Sequence, residues 1–269
     1  MQIDSEVHFW KYDRENPGPY PKGDKLLAQH YLPEQLTQSL HRNGIQGCIA
    51  VVADNQEVET RFLAELAFTH PEILGVVGWM DLYHRLAEDK MRELRQYTPI
   101  KGFQITVDLN TEPTAAVMDL LLVYQYCLEI SISPATDITA LSRWLQNNPE
   151  QHFILRHCGN PDTRRPATEE WKNQIRILAK HKNLSCKVSG LLTAARGKSW
   201  KPADFYPFLE LVFEAFGPDR VLFASEWPYL LLAGIYVQWK SLLEKFTEKF
   251  AEEDRKLFFG ENAMRLYKL

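Results

Sequence analysis

Carboxyl and imidazole groups follow short apolar runs at several places in this sequence. Glu6 and His8 follow the first run, His157 follows "FILR", and Glu226 interrupts "VLFASEWP". Glu6 and His8 are two residues apart, so an extended backbone directs both side chains to one face. Two carboxylates and two imidazoles can bind a divalent metal ion, or can act without metal as general acids and bases on a carbonyl group. Either chemistry requires a fold that brings these four side chains together.

Other polar and aromatic residues occupy similar positions beside apolar runs. Arg156 precedes the histidine of the sixth run, Gln104 lies in the fourth, and Lys187 lies inside "CKVSG". A lysine in a buried strand needs a partner, so Lys187 either contacts substrate or belongs to a structural ion pair. We predict that Lys187, Arg156 and Gln104 contact substrate. Trp10 and Trp227 are predicted to line the pocket or to pack beside it.

Each of these residues, taken singly, also has a purely structural interpretation. His8 and His157 can be buried histidines with satisfied hydrogen bonds, and Glu226 can cap a helix or pair with an arginine. The functional interpretation depends on their common position at the ends of predicted strands.

Eight short apolar runs supply those strands. They begin at Met1, Gly47, Ile73, Ile100, Leu128, Phe153, Leu184 and Arg220. Most are continuously apolar, which is typical of parallel strands buried on both faces. Amphipathic helical segments such as 57–70 separate them. Eight alternations predict a single (β/α)8 TIM barrel over residues 1–269, with its chemistry at the carboxyl ends of the strands. The Pro- and Gly-rich segment 11–32 is predicted to be a long loop over that mouth.

Composition excludes several classes of partner. The 269 residues carry a net charge of −4 with no basic block, which argues against nucleic acid. No apolar stretch approaches the length of a membrane span, and the N-terminus lacks the features of a signal peptide. Four widely spaced cysteines without a Cys-x-x-Cys motif indicate free thiols in a reducing compartment. We therefore expect a cytoplasmic protein whose partner is a small-molecule substrate; the sequence does not predict an oligomeric state.

Several motifs together resemble the amidohydrolase-2 group, the lactonase branch of the amidohydrolase superfamily. The opening "IDSEVHFW" resembles Ile-Asp-[Ala/Ser]-His-x-His-Phe-Trp of that group. The other matching motifs are "VVGWMDL", "FILRHCGNP", "CKVSGLLT", "FGPDRVLFASEWP" and "ENAMRLYKL". They follow one another along essentially the whole chain, so the resemblance independently implies the barrel.

The chain departs from the family pattern at five motif positions. Glu6 stands in place of the first histidine, and Glu226 in place of an aspartate. Arg156 replaces another aspartate, Gln104 an arginine and Val52 a glutamine. The exchange at Glu226 keeps the acid but adds a methylene, which moves the carboxylate by about 1 Å.

The resemblance implies a hydrolase acting on a small cyclic ester, either a sugar lactone or a dicarboxylate lactone. Glu226 would activate water, and His157 and His8 would orient or polarise the carbonyl. Glu6 would be a metal ligand or a partner of His8. One divalent ion, zinc or manganese, would be bound by Glu6, His8, His157 and Glu226, although metal-independent action is also compatible with the resemblance. Without a metal, Arg156 and Lys187 could supply the positive charge between the carboxylates of Glu6 and Glu226. Two alternatives remain, namely a small-molecule binding protein that has lost the chemistry, and a decarboxylase of the same superfamily.

Overall fold

Eight parallel strands in sequential order form the centre of the molecule. The computed structural model describes residues 1–15, 24–105, 113–197 and 199–269. The strands are β1 Ile3–Val7, β2 Gly47–Val51, β3 Ile73–Trp79, β4 Ile100–Ile105, β5 Cys127–Ile130, β6 Phe153–Leu155, β7 Leu184–Val188 and β8 Val221–Phe223. Each pairs in parallel with the next, so the predicted TIM barrel is confirmed.

Helices connect the strands and cover the outside of the barrel. They are α1 Pro33–Arg42, α2 Glu57–Thr69, α3 Ala87–Leu94, α4 Ala115–Tyr124, α5 Ile138–Asn147, α6 Glu169–Leu178, α7 Leu191–Ala194, α8 Tyr206–Phe216, α9 Tyr236–Thr247, α10 Glu252–Lys256 and α11 Asn262–Tyr267. Their apolar faces pack on the outer face of the sheet and form the larger hydrophobic core. The amphipathic pattern at 57–70 thus corresponds to α2.

The barrel closes between β1 and the residues that follow β8. The amide of Glu226 donates to the carbonyl of Glu6 at 2.9 Å, and the amide of His8 donates to the carbonyl of Trp227 at 2.7 Å. These two hydrogen bonds extend the sheet by the residues whose side chains were singled out from the sequence. Closure of the barrel therefore places Glu226 beside Glu6 and His8.

The interior of the barrel is apolar at one end and charged at the other. Ile154 and Cys127 belong to a small apolar cluster that also contains Tyr267 of α11. Two residues further along their strands, and so on the same face, come Arg156 and Glu129. The charged layer therefore lies towards the carboxyl ends of the strands, above an apolar floor.

The ends of the 11–32 segment are held at the mouth. The backbones of Trp10 and Tyr31 exchange hydrogen bonds of 2.8 and 3.0 Å, and Asp24 pairs with Arg196 at 2.5 Å. Residues 16–23 lie outside the described part of the chain. That this segment covers the mouth remains a prediction.

The structure also bears on the expectations about membrane spans and cysteines. Within the described ranges, no helix has the length and apolar character needed to cross a bilayer. All four cysteines are buried free thiols, as predicted.

Candidate active site

Glu6 and Arg156 form the central ion pair of the charged layer. Nε and Nη2 of Arg156 donate to Oε1 of Glu6 at 3.1 and 2.6 Å, and Nη1 donates to Oε1 of Gln104. Glu6 is fully buried and the Arg156 side chain is 9% exposed. Burial opposes ionisation of Glu6, but the surrounding positive charge holds its pKa well below the usual range. Glu6 is therefore an anion that pairs with the guanidinium of Arg156.

Hydrogen bonds fix the tautomer of His157. Ser189 Oγ donates to Oε2 of Glu6 at 2.7 Å, so its one proton is used there. The contact of 3.0 Å between Ser189 Oγ and Nδ1 of His157 must then be donated by the imidazole. Nε2 of His157 consequently carries a lone pair, 3.8 Å from Oε1 of Glu6.

His8 has the same tautomer for a different reason. Its Nδ1 lies 2.9 Å from the carbonyl oxygen of Val51, which can only accept, so Nδ1 carries the proton. Its Nε2 lies 3.8 Å from Oε1 of Glu6. Burial lowers the pKa of His8 to about 4 and that of His157 to about 3. Both imidazoles are therefore neutral acceptors at physiological pH.

Glu226 is held at the mouth by local backbone geometry. Its φ of 59° lies in the left-handed region, where non-glycine residues are uncommon and often functional. Thr193 Oγ1 donates to Oε2 at 2.6 Å, and Oε1 lies 3.8 Å from Nδ1 of His157. Burial, together with the charge of Glu6, raises the pKa of Glu226 to about 8. The side chain remains 13% exposed, so this carboxyl group can meet a ligand.

Lys187 has its own partner beneath these groups. Its Nζ donates to Oε1 of Glu129 at 2.6 Å, and neither side chain is exposed. The hydroxyl of Tyr267 donates to the same oxygen at 2.6 Å, while Oε2 of Glu129 lies 3.7 Å from Nε of Arg156. Lys187 therefore holds Glu129 below the mouth. Its predicted contact with substrate would require this pair to open and stays untested.

Aromatic rings form one wall of the mouth. The ring centroids of Trp10 and Tyr229 lie 5.5 Å apart, and those of Tyr31 and Trp227 lie 5.1 Å apart. Tyr229 also meets His8 edge-on, with centroids 5.2 Å apart. Trp10 and Trp227 are 7% and 5% exposed, so they support the wall more than they face solvent.

Sequence reasoning missed Glu129, Thr193 and Tyr229, which complete this arrangement. Glu129 lay within the apolar run "LEISIS", and a buried acid there is a signal that Lys187 has an internal partner. Thr193 lies in the short helix α7 and Tyr229 in the connection between β8 and α9. Neither gave a signal, because a single hydroxyl-bearing residue outside the strands forms no recognisable pattern. Asn55, at the end of β2, accepts from Nε2 of Gln104 at 3.0 Å and so fixes the amide beside Arg156.

Gly190 allows the end of β7 to approach the ring of His157. Its φ is +73°, and a Cβ added there would lie 2.6 Å from Cβ and 3.0 Å from Nδ1 of His157. We expect Gly190→Ala to displace the imidazole and lower kcat/KM by about 100-fold, because a shift of about 1 Å in a catalytic group costs that much. Steady-state kinetics and thermal unfolding would measure both effects.

Gly44 supplies a matched control for the substitution at Gly190. Its φ is +70°, and nothing lies within 4 Å of an added Cβ. Gly44→Ala therefore carries the same backbone penalty without a clash near the mouth, and its activity should remain that of the wild type. Equal losses of activity in the two variants would contradict the role assigned to Gly190.

A parallel barrel with acid, imidazole and guanidinium groups at the carboxyl ends of its strands defines a TIM-barrel enzyme. The family model described as Amidohydrolase matches residues 3–269. The chain belongs to the amidohydrolase family, as the sequence motifs predicted.

Three proteins illustrate the similarity. The L-fucono-1,5-lactonase of Burkholderia multivorans is 30% identical over 287 residues, covering 100% of this chain and 96% of that protein. A crystal structure of an amidohydrolase from Burkholderia multivorans with bound zinc is 29% identical, covers 100% and 99% of the two chains, and has a TM-score of 0.88. The 5-carboxyvanillate decarboxylase of Sphingomonas paucimobilis, 13% identical with coverage of 100% and 99% and a TM-score of 0.68, shares the fold.

The amidohydrolase structure from Burkholderia multivorans contains zinc, so we asked whether the residues of this chain fit a metal ion. Glu226 and Glu6 face opposite ring nitrogens of His157, so the four predicted ligands do not surround one point. The Glu6 oxygen nearest both imidazoles already accepts two hydrogen bonds from Arg156. Among the described residues, no group of three or more His, Cys, Asp or Glu side chains is arranged to hold a metal. The predicted metal set does not fit as the side chains stand.

Proposed function

We propose that this protein hydrolyses a neutral sugar lactone, with Glu226 as the general base. The observation that carries the proposal is the placement of Glu226: a partly exposed carboxyl group at the end of β8, beside a neutral imidazole and with a pKa raised to about 8. A base whose pKa lies near the working pH is well suited to proton transfer from water.

The proposed reaction is acyl transfer to water. Ionised Glu226 takes a proton from water as the water oxygen bonds to the lactone carbonyl carbon. The bond from that carbon to the ring oxygen then breaks, and the proton passes from Glu226 to the departing alkoxide. The product is a hydroxy acid. Thr193 holds one carboxylate oxygen of Glu226 and leaves the other directed at the site.

The carbonyl oxygen needs hydrogen-bond donors as it gains charge. Neither imidazole offers an N–H at Nε2, so we propose that His8 and His157 orient water or substrate hydroxyls as acceptors. Arg156 has five N–H groups, of which three are used by Glu6 and Gln104. We assign the remaining guanidinium N–H groups, with the hydroxyl of Tyr229, to the developing oxyanion.

Charge pairing favours a neutral substrate over a dicarboxylate. The two cations that the described barrel interior presents, Arg156 and Lys187, are already paired with Glu6 and Glu129. A substrate carboxylate would have to break one of these pairs. The partly exposed ring of Tyr229, supported by the buried rings of Trp10 and Trp227, instead offers apolar surface to the C–H groups of a sugar.

The relative from Burkholderia multivorans that matches over nearly its full length is an L-fucono-1,5-lactonase, which agrees with this proposal. A cytoplasmic location is also proposed, supported by four buried thiols that remain free.

A panel of lactones tests the substrate assignment. Acid release would be followed with a pH indicator for L-fucono-1,5-lactone, other aldono-1,5-lactones and 2-pyrone-4,6-dicarboxylate, each with wild type and Glu226→Gln. We expect turnover of neutral lactones by the wild type only. Preferential turnover of the dicarboxylate would refute the charge argument, and absence of turnover together with tight lactone binding would indicate a binding protein.

The pH dependence follows from the ionisation of Glu226. A base is active when unprotonated, so kcat/KM should rise about tenfold per pH unit below the pKa of about 8 and level off above it. His8 and His157, with pKa values of about 4 and 3, stay neutral throughout. Rates from pH 6 to 9.5, corrected for spontaneous hydrolysis, would measure the profile. A rate that is constant or falls over this range is incompatible with Glu226 as base.

A further inference from the structure

The buried charges of this site balance one another without a metal ion. Glu6 and Glu129 are two anions with no exposed surface, and Arg156 and Lys187 are two cations that contact them directly. Separations between 2.6 and 3.7 Å join the four into one group. A divalent ion added here would carry two uncompensated positive charges into a buried region, which is costly.

The Oε1 atom of Glu6 is the point at which a metal and Arg156 would compete. Nε2 of His8 and Nε2 of His157 each lie 3.8 Å from this oxygen, and both nitrogens present lone pairs. Two imidazole nitrogens and one carboxylate oxygen are a common set of zinc ligands. However, two guanidinium N–H groups already occupy Oε1, at 2.6 and 3.1 Å.

We infer that Arg156 is the resident cation of this site and keeps Glu6, His8 and His157 from binding a divalent metal. The guanidinium neutralises the carboxylate that a metal would otherwise neutralise. Removing Arg156 should therefore uncover a latent zinc site. This inference concerns metal binding alone and does not depend on the reaction proposed above.

Zinc binding by three proteins tests the inference without an activity assay. Wild type, Arg156→Ala and Glu6→Gln/Arg156→Ala would be stripped with chelator, dialysed against zinc and measured by mass spectrometry of bound metal and by thermal unfolding. We expect no stoichiometric zinc in the wild type and about one zinc per chain in Arg156→Ala. Zinc should raise the unfolding midpoint of Arg156→Ala by several degrees and leave that of the wild type unchanged. The double variant lacks the Glu6 carboxylate as well as Arg156, so it should bind no stoichiometric zinc and its unfolding midpoint should not rise with zinc.

Each opposite result overturns the inference. Stoichiometric zinc in the wild type would show that Arg156 does not exclude the metal. An Arg156→Ala variant that folds and gains no zinc would show that the three ligands are not a latent site. Equal zinc in single and double variants would show that Glu6 is not a ligand. If Arg156→Ala is insoluble, Arg156→Gln takes its place. The zinc content of the wild type tests the exclusion of metal in either case.

Discussion

Replacing Glu226 by glutamine is expected to lower kcat/KM by about 10³-fold or more, within the range that a general base contributes. Glutamine keeps the size of the side chain and can still meet Thr193, but it cannot take a proton from water. Initial rates of acid release with the lactone that the wild type turns over best would measure the loss.

Glu226→Gln should also make the folded protein more stable at high pH, although it lowers the activity. The pKa of Glu226 rises from 4.5 to about 8 on folding, so the carboxyl group favours the fold fully below pH 4.5 and loses that contribution as pH rises towards 8. The cost of ionisation in the fold is at most about 5 kcal/mol. Glu226→Gln removes this cost, so thermal unfolding at pH 9 should occur at a higher temperature than in the wild type.

Thr193→Val is the matched control for Glu226→Gln. It removes the 2.6 Å hydrogen bond to Glu226 and keeps the carboxyl group, so it should cost about 10-fold in kcat/KM. If Glu226→Gln retained activity comparable with that of Thr193→Val, the base would have to be another residue.

Lys187→Met is expected to destabilise the protein by about 3–5 kcal/mol, since it leaves Glu129 charged and buried without its ammonium partner. For a chain of this size that loss corresponds to a midpoint lower by about 10 °C. Denaturant unfolding and calorimetry would measure it. The double variant Glu129→Gln/Lys187→Met removes both charges and should recover much of the loss.

An exposed ion pair of the same length provides the control for Lys187. Lys245 and Glu248 also lie 2.6 Å apart, but their side chains are 69% and 55% exposed. Lys245→Met should change stability by less than about 1 kcal/mol because solvent screens such pairs. An equally small effect for Lys187→Met, accompanied by a large rise in KM, would instead support the predicted contact between Lys187 and substrate.

The barrel was predictable because its signal is local. Each strand is a short apolar run that can be recognised by itself, and eight alternations with helices permit few other topologies. The position of Glu226, His8 and His157 at the mouth followed from the same reasoning, because parallel strands place their carboxyl ends at one edge.

The partners within the site were not predictable in the same way. Glu6 and Arg156 are 150 residues apart, and each could have paired with another charged group in the barrel. Sequence reasoning accordingly left several partners open for Glu6, namely a metal ion, His8, or the positive charge of Arg156 and Lys187. It assigned Arg156 chiefly to substrate, whereas the structure pairs Arg156 with Glu6. The choice depends on side-chain reach inside a closed barrel, which no local pattern encodes.

The contact of Tyr267 with Glu129 has a consequence for the order of events during synthesis. These two residues are separated by 138 positions, and Tyr267 follows every strand of the barrel. A nascent chain that has already released all eight strands from the ribosome still lacks the hydroxyl that binds Glu129 and the helix that covers the apolar floor. The charged layer can therefore reach its final arrangement only after translation has passed α11, because Glu129 can meet Lys187 before then but not Tyr267.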